Sequence, residues 1–270
     1  MEAFGVDGAR HDGEAATCED FVVAMEDGAG LDLEQFRLWY SQAGTPKVEV
    51  SLDHAGDTAT LTLKQAVPAT PGQPAKHPMP VPLRIALFDR ATGTHSGEQL
   101  IVLDSAEKSI AFEGFSEAPV LSINRGFTAP VSIERTVSDE DLVFLAAHDD
   151  DSFARYEAMQ ELATRHLVAA STGKLDDDTR SAGRASIRTA LAATMADDAL
   201  DDLMRGELLL MPSQSYIAEQ IELSDPGRIH AEREGLKASI GKELGDELVQ
   251  LHSRVSEVPF SMDARAKGAR

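Results

Sequence analysis

The spacing of apolar residues changes twice along the chain and divides it into three zones. From Thr17 to Gly44, apolar side chains recur every three or four residues, the period of an amphipathic helix. Over residues 45–137, apolar and polar residues alternate, as on strands with one buried face. Helical spacing returns from Ser138. The pattern predicts a mixed, multidomain fold: a short helical segment, then an antiparallel β-sandwich, then α-helical hairpins.

Capping residues predict where the helices of the first zone begin and end. Thr17 is followed three residues later by Asp20, the spacing of a capping box. Asp32 and Gln35 repeat that spacing and predict a second helix start. Gly44 provides a stop, since glycine readily takes the left-handed conformation that ends helices.

Alternation in the middle zone predicts a series of short strands. The apolar positions that alternate are Val48, Val50, Leu52, Leu61, Leu63, Val81, Leu83, Ile85, Leu87, Ile110, Phe112, Val120, Ile123, Val131, Ile133 and Val137. Six prolines lie between Pro68 and Pro82. Because proline cannot donate to a strand ladder, this segment is predicted to be an extended connection and not a central strand.

The third zone carries its own helix signals. Ser138 with Asp141 predicts one helix start, and Asp225 followed by Pro226 predicts a later one. Two apolar series then follow helical spacing: Phe153, Tyr156, Met159 and Leu162 in the first, and Leu236, Ile240, Leu244, Leu248, Leu251 and Val255 as one stripe in the second. Successive hairpins fit this pattern better than a closed bundle. Without a fixed-period repeat, an α-solenoid is a hypothesis.

Composition narrows the functional classes. The chain has 270 residues, with 46 acidic and 25 basic side chains and a formal net charge of -21. Such a surface repels nucleic acid and anionic membranes, so neither is expected as a partner. Cys18 is the single cysteine and allows no internal disulfide, which fits a reducing compartment. The first residues lack the apolar core of a signal peptide, and the expected location is the cytoplasm.

Some residues could carry chemistry, but a structural interpretation is favoured for each. His230 and Glu234 are one helical turn apart, yet a zinc site needs a third protein ligand that the pattern does not supply. The acidic runs 148–151 and 174–179 lack the spaced oxygens and the glycine of a calcium loop. Residues 235–243 have the wrong spacing for a phosphate loop.

Two further candidates lie in the first zone. Cys18 stands at a capped helix start, which could lower the pKa of a thiol, with His11 nearby in sequence. Trp39 and Tyr40 could stack on a ligand, but their helical spacing with Phe36 favours a place in the core.

Several long segments resemble the bacterial aminopeptidase N family in collinear order. They are TCEDF, FRLWYSQAGTP, PATPGQPAKHPMPVPLRIALFD, FTAPVSIE, SDEDLVFLAAHDDDSFARYEAMQELA and MPSQSYIAEQIELSDPGRIHAEREGLKASIGKELGDELVQLH. The resemblance covers about Arg10 to Arg270 and implies three parts. Residues 1–44 would be the tail of a catalytic domain, 45–137 a β-sandwich domain, and 138–270 the first part of an incomplete, solenoid-like helical domain. Residues 1–9 depart from the family pattern.

The resemblance also implies an activity: zinc-dependent removal of N-terminal residues from peptides. Family members use an H-E-x-x-H helix, a further glutamate and a G-A-M-E-N-like loop. None of these motifs occurs in the sequence. The prediction is therefore that this chain has no catalytic, cofactor-binding or metal-binding residues and binds no zinc itself. A catalytic domain would be its packing partner. The alternative is a stand-alone sandwich and helical scaffold.

Overall fold

The computed structural model describes Arg10, Gly13 and residues 15–256. Residues 1–9, 11, 12, 14 and 257–270, and with them His11 and the ends of the first and third predicted domains, lie outside the described residues. The α-helices are α1 (Cys18–Ala29), α2 (Leu38–Ser41), α3 (Asp139–His148), α4 (Ser152–Ser171), α5 (Asp177–Ala196), α6 (Asp202–Leu208), α7 (Gln214–Glu219), α8 (Pro226–Glu243) and α9 (Gly245–Ser256). The strands are β1 (Lys47–Ala55), β2 (Thr58–Ala66), β3 (Val81–Phe88), β4 (Gln99–Leu103), β5 (Glu107–Glu113), β6 (Val120–Ile123) and β7 (Ser132–Arg135).

The order of elements confirms the predicted fold class: short helices, then strands, then helices. The chain forms two compact units, which do not divide at the predicted domain bounds. The first unit comprises residues up to Arg84, Gln99–Ala118 and Thr128–Thr136. The second comprises Ile85–Glu98, Pro119–Phe127 and the residues from Val137 onward.

A four-stranded sheet with the order β5-β2-β1-β7 dominates the first unit. β1 and β2 form an antiparallel hairpin across Gly56 and Asp57, and Gly56 has a φ of 66°, which such a tight turn requires. Alternate residues of β1, including Val48 and Val50, are buried. The pairing of β7 with β1 is parallel, which the antiparallel prediction did not include. β7 reaches β1 by a long connection and not a hairpin, so either direction is open to it.

Strand β3 continues from one unit into the other. Its first half lies in the first unit, which also holds β4, and its second half lies in the second unit, where residues 85–88 pair antiparallel with β6. Pro82 lies inside β3, although the proline-rich segment was predicted to be a connection only. The pairing with β6 covers Ile85–Phe88, so it requires no N–H at Pro82.

The core of the second unit combines helices with the strand segments that this unit contains. Ala86, Phe88 and Val120 are buried together with apolar residues of α3, α4, α5 and α8. Ser138 caps α3 as predicted, accepting a hydrogen bond from the Asp141 amide at 3.1 Å. The helices of the second unit therefore pack against these strand residues.

Two predicted helical features are wrong in detail. The stripe from Leu236 to Val255 is divided between α8 and α9. Leu244 leaves the helical conformation (φ -119°, ψ 14°) directly before Gly245, and glycine is a poor helix former. Asp32 does not cap a helix directly: its carboxylate accepts from the Glu34 amide at 2.9 Å, and a 3₁₀ turn over Gln35–Arg37 follows.

The predicted capping box at Thr17 and Asp20 is present at the start of α1. Trp39 is only partly buried, and its indole N–H donates to the Pro80 carbonyl at 3.0 Å. Tyr40 is 53% exposed, so the prediction that it belongs to the core is wrong. It lies against the edge of Phe36, with the ring centroids 5.9 Å apart.

Candidate functional site

The residues considered as ligands in the sequence are occupied by local contacts. The Nδ1 of His230 is 3.0 Å from the side-chain nitrogen of Gln214, and Glu234 accepts from Lys237 at 2.9 Å. Within the described part of the chain, no group of three or more histidine, cysteine, aspartate or glutamate side chains could hold a metal ion. The described residues therefore do not fit a zinc ion.

The other residues that were considered from the sequence lie at the ends of helices or within a helix. Asp176, from the segment 174–179, caps α5 by accepting from the Thr179 amide at 2.8 Å. Residues 235–243 lie within α8. Cys18 is the exposed first residue of α1, and it has no disulfide partner.

The segment 148–151 belongs to a charged cluster at the junction of α3 and α4. Arg125, 2% exposed, donates from Nη2 to Asp149 Oδ1 at 3.2 Å and also to Asp150. The carboxylate of Glu98 lies 3.7 Å from the Arg125 Nε. Asp149 is 1% exposed, so one guanidinium compensates a buried carboxylate and a surface carboxylate together.

Backbone geometry holds the arginine in place. The turn that carries Arg125 has positive φ angles at Asn124 (57°), Gly126 (63°) and Phe127 (51°). Its Gly126 amide donates to Asp151 Oδ1 at 2.9 Å, and the same oxygen accepts from the Ala154 amide at 2.8 Å as the cap of α4. The Asp151 carboxylate therefore joins the turn after β6 to the start of α4.

Aromatic rings cover one side of the cluster. The guanidinium carbon of Arg125 is 6.0 Å from the centroid of the Phe88 ring. The His95 ring packs against Phe88 at 4.7 Å, and its Nε2 lies 3.1 Å from Asp150 Oδ1. Phe144 packs on the edge of Phe88 at 6.0 Å. The charged groups are thereby placed among apolar neighbours, where their interactions are stronger than in water.

The pKa values of Asp149 and Asp150 are shifted in opposite directions. Burial raises the pKa of Asp149, against the opposing influence of Ser122, the Asp151 amide and Arg125. The more exposed Asp150 has a lowered pKa, because its contacts with His95 and Arg125 outweigh its desolvation. The hydrogen bonds and ion pairs of the cluster hold secondary structure together.

A second concentration of charge lies between α5 and α8. Arg180, Arg184 and Arg188 are spaced by four residues and line a cleft of about 510 Å³ together with Glu232 and Glu243. Neither this cleft nor the role of Arg125 was predicted from the sequence. The spacing of the three arginines was a readable signal, since residues four apart share a helix face.

Along the described ranges, no helix combines the length and the apolar character that crossing a lipid bilayer requires.

Comparison with known proteins places both regions in one family. Residues 44–136 match a domain of unknown function (DUF3458) with an Ig-like fold, and residues 139–270 match a domain of unknown function (DUF3458_C) with ARM repeats. The aminopeptidase N of Escherichia coli (strain K12) is 36% identical over 258 residues, which are 90% of this chain and 29% of that protein.

Two other bacterial aminopeptidase N proteins are similar to the chain at about the same level of identity. The aminopeptidase N of Caulobacter vibrioides is 38% identical, with coverage of 97% of this chain and 30% of the relative. That of Haemophilus influenzae is 35% identical, with 92% and 29% covered. The chain thus spans about 30% of the length of the relatives it matches.

The fold matches as well. The crystal structure of Legionella pneumophila aminopeptidase A in complex with aspartic acid superposes with a TM-score of 0.81 at 24% identity, covering 99% of this chain and 30% of that one. An Ig-like segment followed by ARM-like helices, in this order and at this level of identity, places the chain in the bacterial aminopeptidase N family, where it corresponds to about 30% of its relatives' length.

Proposed function

We propose that this chain supplies the non-catalytic β and helical portions of a cytoplasmic zinc aminopeptidase that removes N-terminal residues from peptides. The observation that carries the proposal is the collinear similarity to three bacterial aminopeptidase N relatives over at least 90% of the chain. The zinc and the peptide substrate are taken from the family; among the described residues of this chain, no group of three or more histidine, cysteine, aspartate or glutamate side chains could hold a metal ion.

The role of such a portion is architectural. The buried arginine cluster fixes the turn after β6 to α3 and α4, and the strand segment 85–88 forms part of the helical core. Rigid packing of this kind would hold a neighbouring catalytic domain in position, because well-supported scaffolds position active-site groups more accurately than loops do. The catalytic domain is the partner that the proposal requires.

A transplant experiment tests the proposal. The matched segment of the Escherichia coli relative is replaced by residues 10–270 of this chain, and turnover of aminoacyl chromogenic substrates is measured. We expect the chimera to keep activity and to lose it on chelation of zinc. The matched comparison is the same chimera carrying Arg125→Met, which should lose both stability and activity relative to the first chimera.

The isolated chain provides the opposite test. With added zinc, and after chromatographic removal of contaminating peptidases, it should hydrolyse none of the same substrates. Turnover that co-purifies with the chain would contradict the assignment of a non-catalytic role. A folded but inactive chimera would favour a stand-alone scaffold.

A further inference from the structure

The α5–α8 cleft contains more hydrogen-bond donors than acceptors. Arg184 donates from Nη2 to Glu232 Oε2 at 3.2 Å, and the Nε of Arg180 lies 3.5 Å from the same oxygen without hydrogen-bond geometry. A single carboxylate is therefore shared by two guanidinium groups. Glu232 is also the best shielded acid in the cleft, with a side chain 17% exposed.

The remaining acids are poorly placed to neutralise the cleft. Arg188 pairs with Glu243 at 2.7 Å, but the Glu243 side chain is 50% exposed. Arg180 pairs with Asp177, whose side chain is fully exposed. Exposed ion pairs are screened by water and contribute little. The three arginine side chains are 18–23% exposed, so positive charge is more shielded from solvent here than negative charge.

Two arginines of the cleft and a neighbouring histidine carry buried nitrogen atoms without hydrogen-bond partners. The Nε atoms of Arg180 and Arg184 are buried and have no hydrogen-bond partner. The Nε2 of His166 is also buried and unpartnered, and the charges that act on this ring include those of Arg184, Glu232 and Arg180. Buried donors without acceptors are costly in a folded protein, so an acceptor that binds to these nitrogen atoms would be stabilised.

The helix packing makes room for these side chains. A Cβ atom at Gly235 would lie 2.9 Å from the Nη2 of Arg184, so glycine lets the guanidinium lie against α8. A Cβ at Gly183 would lie 2.4 Å from the Nδ1 of His166, so this glycine lets α4 and α5 approach closely. Ser239 accepts from Arg188 Nη1 at 3.0 Å and holds its plane across the cleft.

We propose that the cleft lined by Arg180, Arg184 and Arg188 is a binding site for a small tetrahedral oxyanion of the phosphate class. Guanidinium groups bind oxyanions through paired N–H donors in a fixed plane. Three of them on successive turns line one cleft and offer N–H donors at several points along it, which suits the several oxygens of a tetrahedral dianion better than a flat carboxylate. In a chain of net charge -21, local geometry and not overall charge must supply the attraction.

Calorimetric titration of the whole chain with inorganic phosphate, at constant ionic strength in chloride, tests the site. We expect saturable binding at one site and weaker binding of succinate. Arg188→Gln and Arg184→Gln should each weaken phosphate binding about tenfold, the effect of losing one charge-assisted hydrogen bond. Arg228→Gln, on α8 but not lining the cleft, is the matched control and should leave binding unchanged.

Glu232→Gln separates a ligand site from a purely structural ion-pair network. If the cleft binds phosphate, removing the internal competitor should tighten binding, whereas a structural network would only lose stability. Absence of saturable binding by the unmodified chain, or tighter binding of succinate than of phosphate, would overturn the proposal whether or not the variants fold. As an independent readout, phosphate should raise the thermal unfolding midpoint above that in chloride of equal ionic strength.

Discussion

The two compact units bury polar side chains in contrasting ways. Of the polar side chains buried among the described residues, Gln65 is the one in the first unit. Its amide nitrogen lies 2.8–3.0 Å from the carbonyl oxygens of Met79, Leu103 and Ser105, so that its two hydrogens are shared among three acceptors, and its oxygen accepts from the Met79 amide at 2.9 Å. The second unit instead buries arginines, among them Arg125 with Asp149.

The contrast teaches how each unit joins segments distant in sequence. A neutral amide with every contact satisfied needs no countercharge and depends little on pH. The Arg125 cluster leaves the Nε and Nη1 of Arg125 and the Oδ2 of Asp149 without hydrogen-bond partners, so it depends on the balance of charges. We therefore expect the second unit to respond more strongly to the loss of one partner.

The largest expected effect comes from cutting the chain at the predicted domain bounds. A fragment of residues 45–137 would leave Phe88 and Val120 without the helices that cover them in the second unit. Exposing two such side chains costs roughly 3–6 kcal/mol. The fragment should unfold at lower denaturant concentration than residues 45–256, as followed by circular dichroism.

That experiment also tests the domain bounds, which remain a proposal. If the fragment 45–137 unfolds with the same midpoint as its sheet does in the longer chain, the bounds at 44/45 and 137/138 describe independent folding units. A fragment that unfolds at a lower denaturant concentration would favour the division between Arg84 and Ile85 inside β3.

Breaking the charged cluster should have the next largest effect. Arg125→Met leaves Asp149 buried without its guanidinium, and such a loss costs about 3–5 kcal/mol. The matched control, Arg90→Met, breaks an exposed pair with Asp141 and should cost less than about 1 kcal/mol. Both are measured as free energies of unfolding in urea.

A double variant sharpens the result. Asp149→Asn removes the buried charge but keeps an oxygen that can accept from the Asp151 amide, which Asp149 Oδ1 does at 2.9 Å. Added to Arg125→Met, it should restore part of the lost stability. If Arg125→Met and Arg90→Met lower the free energy of unfolding equally, the buried cluster contributes no more stability than an exposed ion pair.

Loss of the hydrogen bonds of the neutral Gln65 side chain should lower the free energy of unfolding by less. Gln65→Leu keeps the volume but leaves three carbonyls and one amide without this partner, at a cost of about 1–3 kcal/mol. The control is Gln99→Ala at the exposed start of β4, expected within about 0.5 kcal/mol of the parent. A cost for Gln65→Leu above that for Arg125→Met would reverse the comparison.

Much of this architecture follows from local signals. The capping pairs Thr17 with Asp20 and Ser138 with Asp141, and the proline after Asp225, identified helix starts that the structure contains. The alternation over 45–137 identified six of the strands, while β4 was not predicted. These signals act within a few residues and so can be read from one chain.

The Arg125 cluster and the α5–α8 cleft depend on contacts between distant segments. Arg125 meets Asp149 across 24 residues, and Arg184 meets Glu232 across 48. Hydrophobic periodicity carries no information on which charged residues meet. The break at Leu244 was missed because the apolar spacing continues through it, although Gly245 was visible.

Acid should affect the two units in different pH ranges. The Arg37 guanidinium, with the Leu33 amide, lowers the pKa of Glu26 in the first unit to about 2. That contribution is present above 4.5 and is lost as pH falls from 4.5 to about 2. Burial lowers the pKa of His166 in the second unit, so stability is lost as pH falls below 6.5.

Asp149 acts in the opposite sense. Because its pKa is raised in the folded state, its contribution weakens stability as pH rises above 3.8 and opposes the histidine. Titration of side-chain NMR signals checks all three groups directly. A Glu26 carboxyl that titrates near 4.5, or a His166 ring that titrates above 6.5, would contradict the predicted order of acid sensitivity.

The smallest expected effect is electrostatic and lies within the second unit. Burial has the largest effect on the pKa of His166 and lowers it, and the charge of Arg184 lowers it further. Glu232 and Asp139 raise this pKa. Arg184→Gln removes one positive charge while burial persists, so the pKa should rise only partway toward 6.5. Glu232→Gln should lower it further, since it removes an acid that favours the protonated ring. Titration of the His166 ring signals in the two variants must give shifts of opposite sign. Shifts of the same sign would mean that the substitutions change the packing of α4 against α5 and not the field at the ring.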